Sequence, residues 1–476
     1  METFSEHPSS PSTGNEPSPW EGRGRSLWLR VVIGLVCVAL VAAVPIYVHQ
    51  QDLLVSQARA IALDGIEQRD HDWYAAKLLG YVAVGIHSDD YTTSALADTL
   101  AIERRGLFPG SATIVDVALA ADGRTALISN AQEGYGIWQL QGKGPESGRE
   151  NLQATRTGTL GAGSGPIALS SDGRRAVTGE DVSGGIDVWD LGDPDRPSRT
   201  PVRKGDYREQ LLELSLTADG TTLFAGFEDG SIEIWNLGAG RKPRQLARRQ
   251  EHASGVRILS GTSDGKTLLT VSDDSAIFWS MTDPSRPTKL AELKSATLEP
   301  EVREWSSGAL SADGKRAIIG RGVWDTTNPQ SPTHLGDLSI IPEWATPVAI
   351  SYDGSIAVTV DDEPSGPASS DPVIVWGLKD GYRPVSLATL RTPESESWLV
   401  AMSKDGRTLA VGTRTGGAYS WLLPNLRKGF MEDACRESPP LPPVPGFWES
   451  VSTESPPDVL GKRPFAICPL GGRSGK

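Results

Sequence analysis

Apolar residues follow three different spacings along the chain. Residues 31–48 form an uncharged apolar run, and between residues 50 and 105 apolar residues recur every three to four positions. From about residue 112 onward, short segments alternate apolar and polar residues. These periods predict, in order, a helix of membrane length, a small helical region and a long series of β-strands.

The first segment, residues 27–48, is predicted to be a transmembrane helix, because its length approaches the ~20 residues needed to span hydrocarbon. Arg23, Arg25 and Arg30 lie at its start, and the next Lys or Arg is Arg59. The positive-inside rule then predicts a single-pass protein of the cell membrane with a cytoplasmic N-terminus. Everything after about residue 49 is expected on the outer side.

Residues 1–26 are rich in Ser, Pro and Glu and are predicted to be a disordered cytoplasmic leader. A cleaved signal peptide is the alternative, since Val41-Ala42-Ala43 ends the apolar run with small residues. The leader is long and acidic for a signal peptide, which favours the anchor.

Residues 49–105 are predicted to form a helical stalk. Asp70 or Asp72 can cap one helix, and Ser88 or Asp89 can cap the next. We expect a helical hairpin or three-helix unit that docks on the domain following it.

Residues 106–424 repeat one unit seven times. Each copy has an apolar run, an Asp-Gly pair, a second apolar run and a Trp. The aspartates of the Asp-Gly pairs are Asp122, Asp172, Asp219, Asp264, Asp313, Asp353 and Asp405. The tryptophans are Trp138, Trp189, Trp235, Trp279, Trp324, Trp376 and Trp421.

The repeat predicts four strands per copy, named a to d here. Asp-Gly is expected to supply the positive φ angles of a tight turn between strands a and b, and the Trp marks strand c. A Pro-containing turn then precedes strand d. Seven four-stranded units predict an all-β fold, a seven-bladed β-propeller. Residues 100–108 are expected to close it as the outer strand of the last blade.

The repeat units resemble the WD-repeat family. The resemblance is carried by WDLGDPDRP (189–197), WSMTDPSRPTKLAEL (279–293), WDTTNPQSPTHLGDL (324–338) and SSDGRRAVTG (170–179). The order of membrane helix, helical region and repeats resembles bacterial, specifically actinobacterial, WD-repeat proteins, some of which carry a STAND-type ATPase or a protease before the membrane segment. Only the leader precedes that segment here, so we expect no such catalytic domain.

The chain departs from the WD-repeat pattern at two points. Only Trp189-Asp190 and Trp324-Asp325 keep the Trp-Asp pair, and Glu251-His252 is the nearest approach to the Gly-His of the family. The Asp-His-Ser/Thr-Trp hydrogen-bond network of WD repeats is therefore expected to be incomplete. Packing between blades should carry more of the stability.

Composition argues against most chemistry. A net charge of −14 makes nucleic-acid binding unlikely. The propeller has two histidines, His252 and His334, in different copies, and acidic pairs such as Asp273-Asp274 lack the spacing of calcium ligands. We therefore predict no catalytic residues, no metal site and no cofactor.

The Pro-rich C-terminal tail, residues 425–476, contains two cysteines. Cys435 and Cys468 lie on the predicted outer side, where oxidation is permitted. A disulfide between them is a hypothesis that would fasten the tail to the propeller.

A binding surface is predicted at the mouth of the central channel. Trp305, Trp344 and Trp398 stand just ahead of strand a in copies five to seven, accompanied by Glu304, Glu343 and Glu396. Aromatic residues beside charges are typical binding anchors. The alternative is that these tryptophans pack between blades.

Two classes of function follow. The favoured one is a membrane-anchored, non-catalytic scaffold or sensor that binds a protein partner or a cell-envelope ligand. The alternative is an exported propeller enzyme, such as a glycan hydrolase, a lyase or a quinoprotein-like dehydrogenase, using carboxylates at the channel mouth. A convergent pair of acids with raised pKa values in the channel would favour the enzyme.

Overall fold

The structure is a computed structural model in which part of the chain is described. The described residues are 51–66, 73–103, 105–108, 113–142, 152–193, 196–238, 242–294, 307–338, 348–360, 372–378, 384–391, 397–414 and 417–423. The chain divides into two compact units, Met1–Gln57 and Ala58–Lys476. The predicted leader, transmembrane segment and C-terminal tail, with both tail cysteines, lie outside the described residues. No helix in the described ranges is long and apolar enough to cross a membrane.

Three helical segments precede the strands: α1 over residues 51–66, α2 (Trp73–Ile86) and α3 (Asp90–Glu103). Asp89 caps α3, because its Oδ1 accepts the Thr92 backbone N–H at 2.9 Å while its own N–H donates to Thr92 Oγ1 at 3.1 Å. Apolar residues of α2 and α3 share one core with blades 6 and 7. Helices α2 and α3 thus pack against the propeller.

The strands form seven antiparallel four-stranded sheets, each ordered from an inner strand a to an outer strand d. Blades 1 to 4 are β2 (Ile114–Leu119), β3 (Thr125–Asn130), β4 (Gly134–Gly142) and β5 (Leu152–Thr159); β6 (Ile167–Leu169), β7 (Arg175–Gly179), β8 (Ile186–Asp190) and β9 (Ser198–Arg203); β10 (Leu211–Leu216), β11 (Thr222–Phe227), β12 (Ser231–Asn236) and β13 (Arg244–Gln250); and β14 (Ile258–Gly261), β15 (Thr267–Val271), β16 (Ser275–Ser280) and β17 (Thr288–Lys294).

Blades 5 to 7 complete the seven-bladed propeller that the repeat predicts. They are β18 (Gly308–Leu310), β19 (Arg316–Ile319), β20 (Gly322–Asp325) and β21 (Thr333–Asp337); β22 (Val348–Ile350), β23 (Ile356–Val360), β24 (Pro372–Gly377) and β25 (Val385–Arg391); and β26 (Ser397–Met402), β27 (Thr408–Thr413), β28 (Ala418–Leu422) and β1 (Arg105–Phe108). All seven repeat tryptophans lie in strand c of their blades.

The ring is closed by the strand that comes first in the chain. β1 pairs antiparallel with β28, with Phe108 opposite Ala418, so the last blade takes its outer strand from the segment before blade 1. Phe108 is buried and meets the Trp138 ring edge-on, with centroids 5.5 Å apart. The prediction that residues 100–108 form this strand is confirmed for residues 105–108 and wrong for residues 100–103, which end helix α3.

Apolar side chains fill every junction between neighbouring blades. Each of the seven junctions has its own buried cluster, and the one between blades 6 and 7 also takes in the helices. A blade can bury its two faces only against its neighbours, so closing the ring is what completes the core.

The Asp-Gly turns differ from the predicted tight turn. Only the glycine has positive φ, from 66° to 74° in the seven copies. The aspartate instead acts as an acceptor: its Oδ1 receives the backbone N–H two residues later at 2.8–3.2 Å in all seven blades. In six blades a Ser or Thr hydroxyl two residues earlier also donates to it, at 2.6–3.0 Å. The turn is therefore a four-residue loop whose conformation is fixed by hydrogen bonds to its aspartate.

These turns are also bonded to one another around the ring. At six of the seven junctions in the described residues, a backbone N–H of one a–b turn donates to a carbonyl of the next, at 2.8–3.3 Å. The bond from Lys404 to Ala121 joins blade 7 back to blade 1. This end of the propeller is therefore a uniform, hydrogen-bonded rim.

Blade 4 contradicts the expectation that the WD-repeat network is incomplete. Trp279 Nε1 donates to Thr270 Oγ1 at 2.9 Å, and that oxygen lies 2.7 Å from His252 Nε2. Nδ1 of His252 lies 2.8 Å from Ser272 Oγ, which donates to Asp274 Oδ1 at 2.9 Å. Asp274 thus joins the hydrogen-bond network through Ser272. The spacing of the sequence motif does not reveal this link.

Candidate functional site

The two ends of the propeller have different character. The a–b and c–d turns lie at the uniform rim, and the b–c and d–a connections lie at the opposite end, which we call the loop face. Glu304, Trp305, Glu343, Trp344 and Glu396 lie outside the described residues. The backbone of Trp398 lies in β26, but its side chain is likewise outside them. Their role as binding anchors stays a prediction.

A cavity of about 840 Å³ runs along the propeller axis. The innermost strands of all seven blades contribute to its wall, and most of the lining side chains are aliphatic. The charged residues among the described lining are Asp116, Asp181, Glu213 and Arg257. Arg257 is held by an ion pair from its Nε to Asp273 Oδ1 at 2.7 Å. The remaining lining charges are all acidic.

Asp116 links two blades from inside the channel. Its Oδ1 accepts the backbone N–H of Val117 at 2.7 Å, and its Oδ2 accepts that of Ile167, in blade 2, at 2.8 Å. Burial raises the pKa of Asp116 to about 7 despite these hydrogen bonds. The carboxyl group therefore holds a proton in part of the molecules near neutral pH.

Glu213 is the corresponding acid of blade 3. Burial raises its pKa well above the ordinary value for glutamate, and the negative charge of Asp116 raises it further. The side chains of Asp116 and Glu213 are each half-buried, because they border the channel. Protein surrounds the channel on all sides, so both carboxyl groups are still poorly hydrated. The two acids therefore titrate as an interacting pair.

The repeat register contains a signal for this pair that motif reasoning missed. Asp116 and Glu213 each stand six residues before the aspartate of their Asp-Gly turn. The same position in the other copies holds uncharged residues: Pro166, Ile258, Ser307, Pro347 and Leu399. An acid at a position that faces the propeller axis is a departure from the repeat.

The described channel does not support the enzyme alternative, although it contains a pair of acids with raised pKa values. Both oxygens of Asp116 accept backbone N–H groups, and the bond from Ile167 joins blade 2 to blade 1, a structural role. The described lining residues include no histidine, cysteine or lysine to act with them. A buried ionisable pair also arises in structural networks, so the pKa values alone do not identify catalysis.

Large apolar side chains project from the loop face beside the channel mouth. Val182, in the b–c connection of blade 2, is 64% exposed, and Tyr207, in the connection from blade 2 to blade 3, is 78% exposed. Asp181 and Gln210 border the channel. Val182 directly follows Asp181 in the chain, and Tyr207 shortly precedes Gln210. Sequence reasoning missed both, because neither lies in a repeated motif.

Comparison with known proteins agrees with this architecture. No family model matches the chain. Over 257 residues the chain is 22% identical to Autophagy-related protein 16 of Arabidopsis thaliana. The aligned region covers 51% of this chain and 44% of that protein. The chain thus spans less than half the length of this curated relative. The seven blades with their repeat tryptophans are consistent with a WD-repeat-like propeller.

Proposed function

We propose that the protein is a non-catalytic interaction scaffold or sensor that binds a protein partner or a cell-envelope ligand on the loop face of its propeller. The observation that carries this proposal is the difference between the two ends of a closed ring. Hydrogen-bonded Asp-Gly turns make one end uniform, whereas the other end carries connections of varied length with exposed apolar side chains. A rigid ring that presents variable loops is suited to recognition.

The proposal extends to a bacterial, single-pass membrane protein with its propeller on the outer side. It is supported by the apolar run of residues 27–48 and by the arginines ahead of it. The resemblance to actinobacterial proteins that combine a membrane helix with WD repeats gives further support. The acidic chain, with a net charge of −14, is repelled by anionic lipid headgroups, which favours a partner in solution or in the cell wall.

Affinity capture with the full-length protein tests the scaffold proposal. Residues 361–371, which join β23 to β24 in the sequence, are removed in one variant. Arg286→Ala, in an exposed c–d turn at the opposite rim, is the matched control. We expect the loop deletion to lose partners that the control retains. Retention of every partner by both variants would contradict recognition through this part of the loop face.

Topology is tested separately. A C-terminal tag should be digested by protease added to intact cells, and removal of residues 27–48 should release the protein from the membrane fraction. Protection of the tag would overturn the outer location and leave the scaffold proposal standing.

A further inference from the structure

Two neighbouring connections on the loop face form a fixed patch, which we call the 182/207 patch. It consists of the b–c connection of blade 2, residues 180–185, and the connection to blade 3, residues 204–210. The backbone N–H groups of Asp206 and Tyr207 donate to the Ser183 carbonyl at 3.0 and 3.3 Å. The Leu211 N–H donates to the Asp181 carbonyl at 2.9 Å. The two connections therefore hold each other in one arrangement.

Partly buried ion pairs hold the same patch. Arg203 donates from Nη1 to the Gly184 carbonyl at 2.6 Å and from Nη2 to Glu209 Oε2 at 2.6 Å. Its guanidinium lies over the Phe227 ring, 4.8 Å from the centroid. Arg248, in the outer strand of blade 3, reaches Glu209 Oε1 at 2.7 Å. Because these contacts order the backbone of the connection, binding of a partner to Tyr207 costs little further entropy for ordering the loop.

Tyr207 has an unfavourable backbone conformation that its own packing does not explain. Its φ is 59°, and it is the one non-glycine residue with positive φ among the described residues. A tyrosine at such a φ costs about 1 kcal/mol or more relative to glycine or asparagine. The ring is 78% exposed, so it repays little of that cost by burial. Strain of this kind, at an exposed aromatic residue, points to a role in binding.

Acidic residues outnumber basic ones in the patch, because its two connections hold four acidic side chains against Lys204 and Arg208. Glu180, Asp181, Asp206 and Glu228 lie in the two connections and in the adjacent b–c turn of blade 3. Among the described residues, no Lys or Arg forms an ion pair with these four carboxylates. Asp181 also borders the axial cavity, so acidic side chains line the path inward to Glu213, which a bound cation would hold in its ionised form.

We propose that the 182/207 patch and the channel mouth together bind a protein segment in which a Lys or Arg side chain enters the channel toward Glu213 while a neighbouring apolar side chain packs on Val182 and Tyr207. This inference rests on the proposed scaffold function and names the chemistry of the partner. A cavity of about 840 Å³ has room for a long cationic side chain. Acidic groups favour a cation, and the exposed Tyr and Val favour an apolar neighbour.

The test is selection of binders from a random 12-residue peptide display library on the detergent-solubilised full-length protein. We expect enriched peptides to carry Lys or Arg next to a large apolar residue. Their affinities are then measured by fluorescence anisotropy on wild type, Glu213→Gln and Tyr207→Gly. Each substitution should weaken binding at least about tenfold, the size of effect that defines an interface anchor.

Two controls separate binding from folding. Tyr207→Gly should unfold at the same temperature as wild type or at a higher one, because glycine relieves the positive φ. Tyr91→Ala, which removes an exposed tyrosine from α3, should leave peptide affinity unchanged. A Tyr207→Gly protein that unfolds at a lower temperature would show that the tyrosine is structural and would overturn its role as an anchor.

Other outcomes also decide the matter. An absence of enriched peptides, or enriched peptides without the cationic and apolar pair, would overturn the inference. If free arginine or spermidine displaces the peptide at concentrations near the peptide's own dissociation constant, the occupant of the site is a small cation instead. If affinity capture yields partners that Tyr207→Gly and Glu213→Gln both retain, the scaffold function stands and this site for it does not.

Discussion

The buried network of blade 4 leads to a sharp prediction for Thr270→Val. Thr270 is fully buried, and its hydroxyl serves two buried side chains, the indole of Trp279 at 2.9 Å and the imidazole of His252 at 2.7 Å. Valine keeps the volume of threonine but removes this oxygen. Both partners would then be left without that hydrogen bond in a core that water does not reach.

The chain contains a matched control in Thr359→Val. Thr359 occupies the same position in blade 6, is equally buried, and accepts from one indole, that of Trp376, at 2.9 Å. A buried polar group without a partner costs about 1–3 kcal/mol. We therefore expect a loss of about 4 kcal/mol in the free energy of unfolding for Thr270→Val and about 2 kcal/mol for Thr359→Val.

Urea unfolding followed by tryptophan fluorescence and by circular dichroism measures both losses. Coincidence of the two signals shows that one transition is being compared. Equal losses in the two variants would refute the reasoning, because the imidazole would then contribute nothing beyond the indole bond.

The same network makes stability depend on pH. Burial lowers the pKa of His252 to about 4, whereas an unfolded histidine takes up its proton near 6.5. The unfolded state therefore binds more protons as the pH falls from about 7 to 4, and this difference corresponds to about 3 kcal/mol of lost stability. In His252→Gln that share of the pH dependence should disappear; an unchanged slope would contradict a neutral, buried His252.

Three further predictions concern closure, the channel and the turns. Phe108→Ala should cost about 3–5 kcal/mol in urea unfolding, because it removes a buried ring from the closing strand and its edge contact with Trp138; a loss below 1 kcal/mol would show that closure does not depend on this ring. Glu213→Gln should be more stable than wild type at pH 8 but not at pH 4, because a raised pKa in the folded state means that ionisation opposes folding; the same difference at both pH values would contradict the raised pKa. Gly123→Ala should lower the melting temperature more than Gly406→Ala, since both have positive φ but only the added Cβ of the first collides with a threonine of blade 7; equal shifts would show that the neighbouring turn yields freely.

Much of the fold could be read from local patterns. The Asp-Gly turn, the alternation of strands a and b and the tryptophan of strand c each depend on a few consecutive residues, and their sevenfold recurrence predicts the blade number. The closing strand was predictable as well, because the chain after Trp421 offers no fourth strand for blade 7. The geometry of the Asp-Gly turn was predicted wrongly, since the motif does not show whether its aspartate adopts positive φ or accepts a hydrogen bond.

The candidate site depended on the ring itself. Asp116 and Glu213 stand in different blades, and only the ring brings both to one axis, where burial raises both pKa values and the charge of Asp116 raises that of Glu213 further. Tyr207 lies in a connection that no repeat describes, and its backbone N–H donates to the neighbouring connection. Local sequence thus determined the repeating unit and the number of blades, because turns and strands form from adjacent residues. Tertiary structure alone decided which acids share the channel and which aromatic ring faces solvent, because those positions depend on contacts between blades.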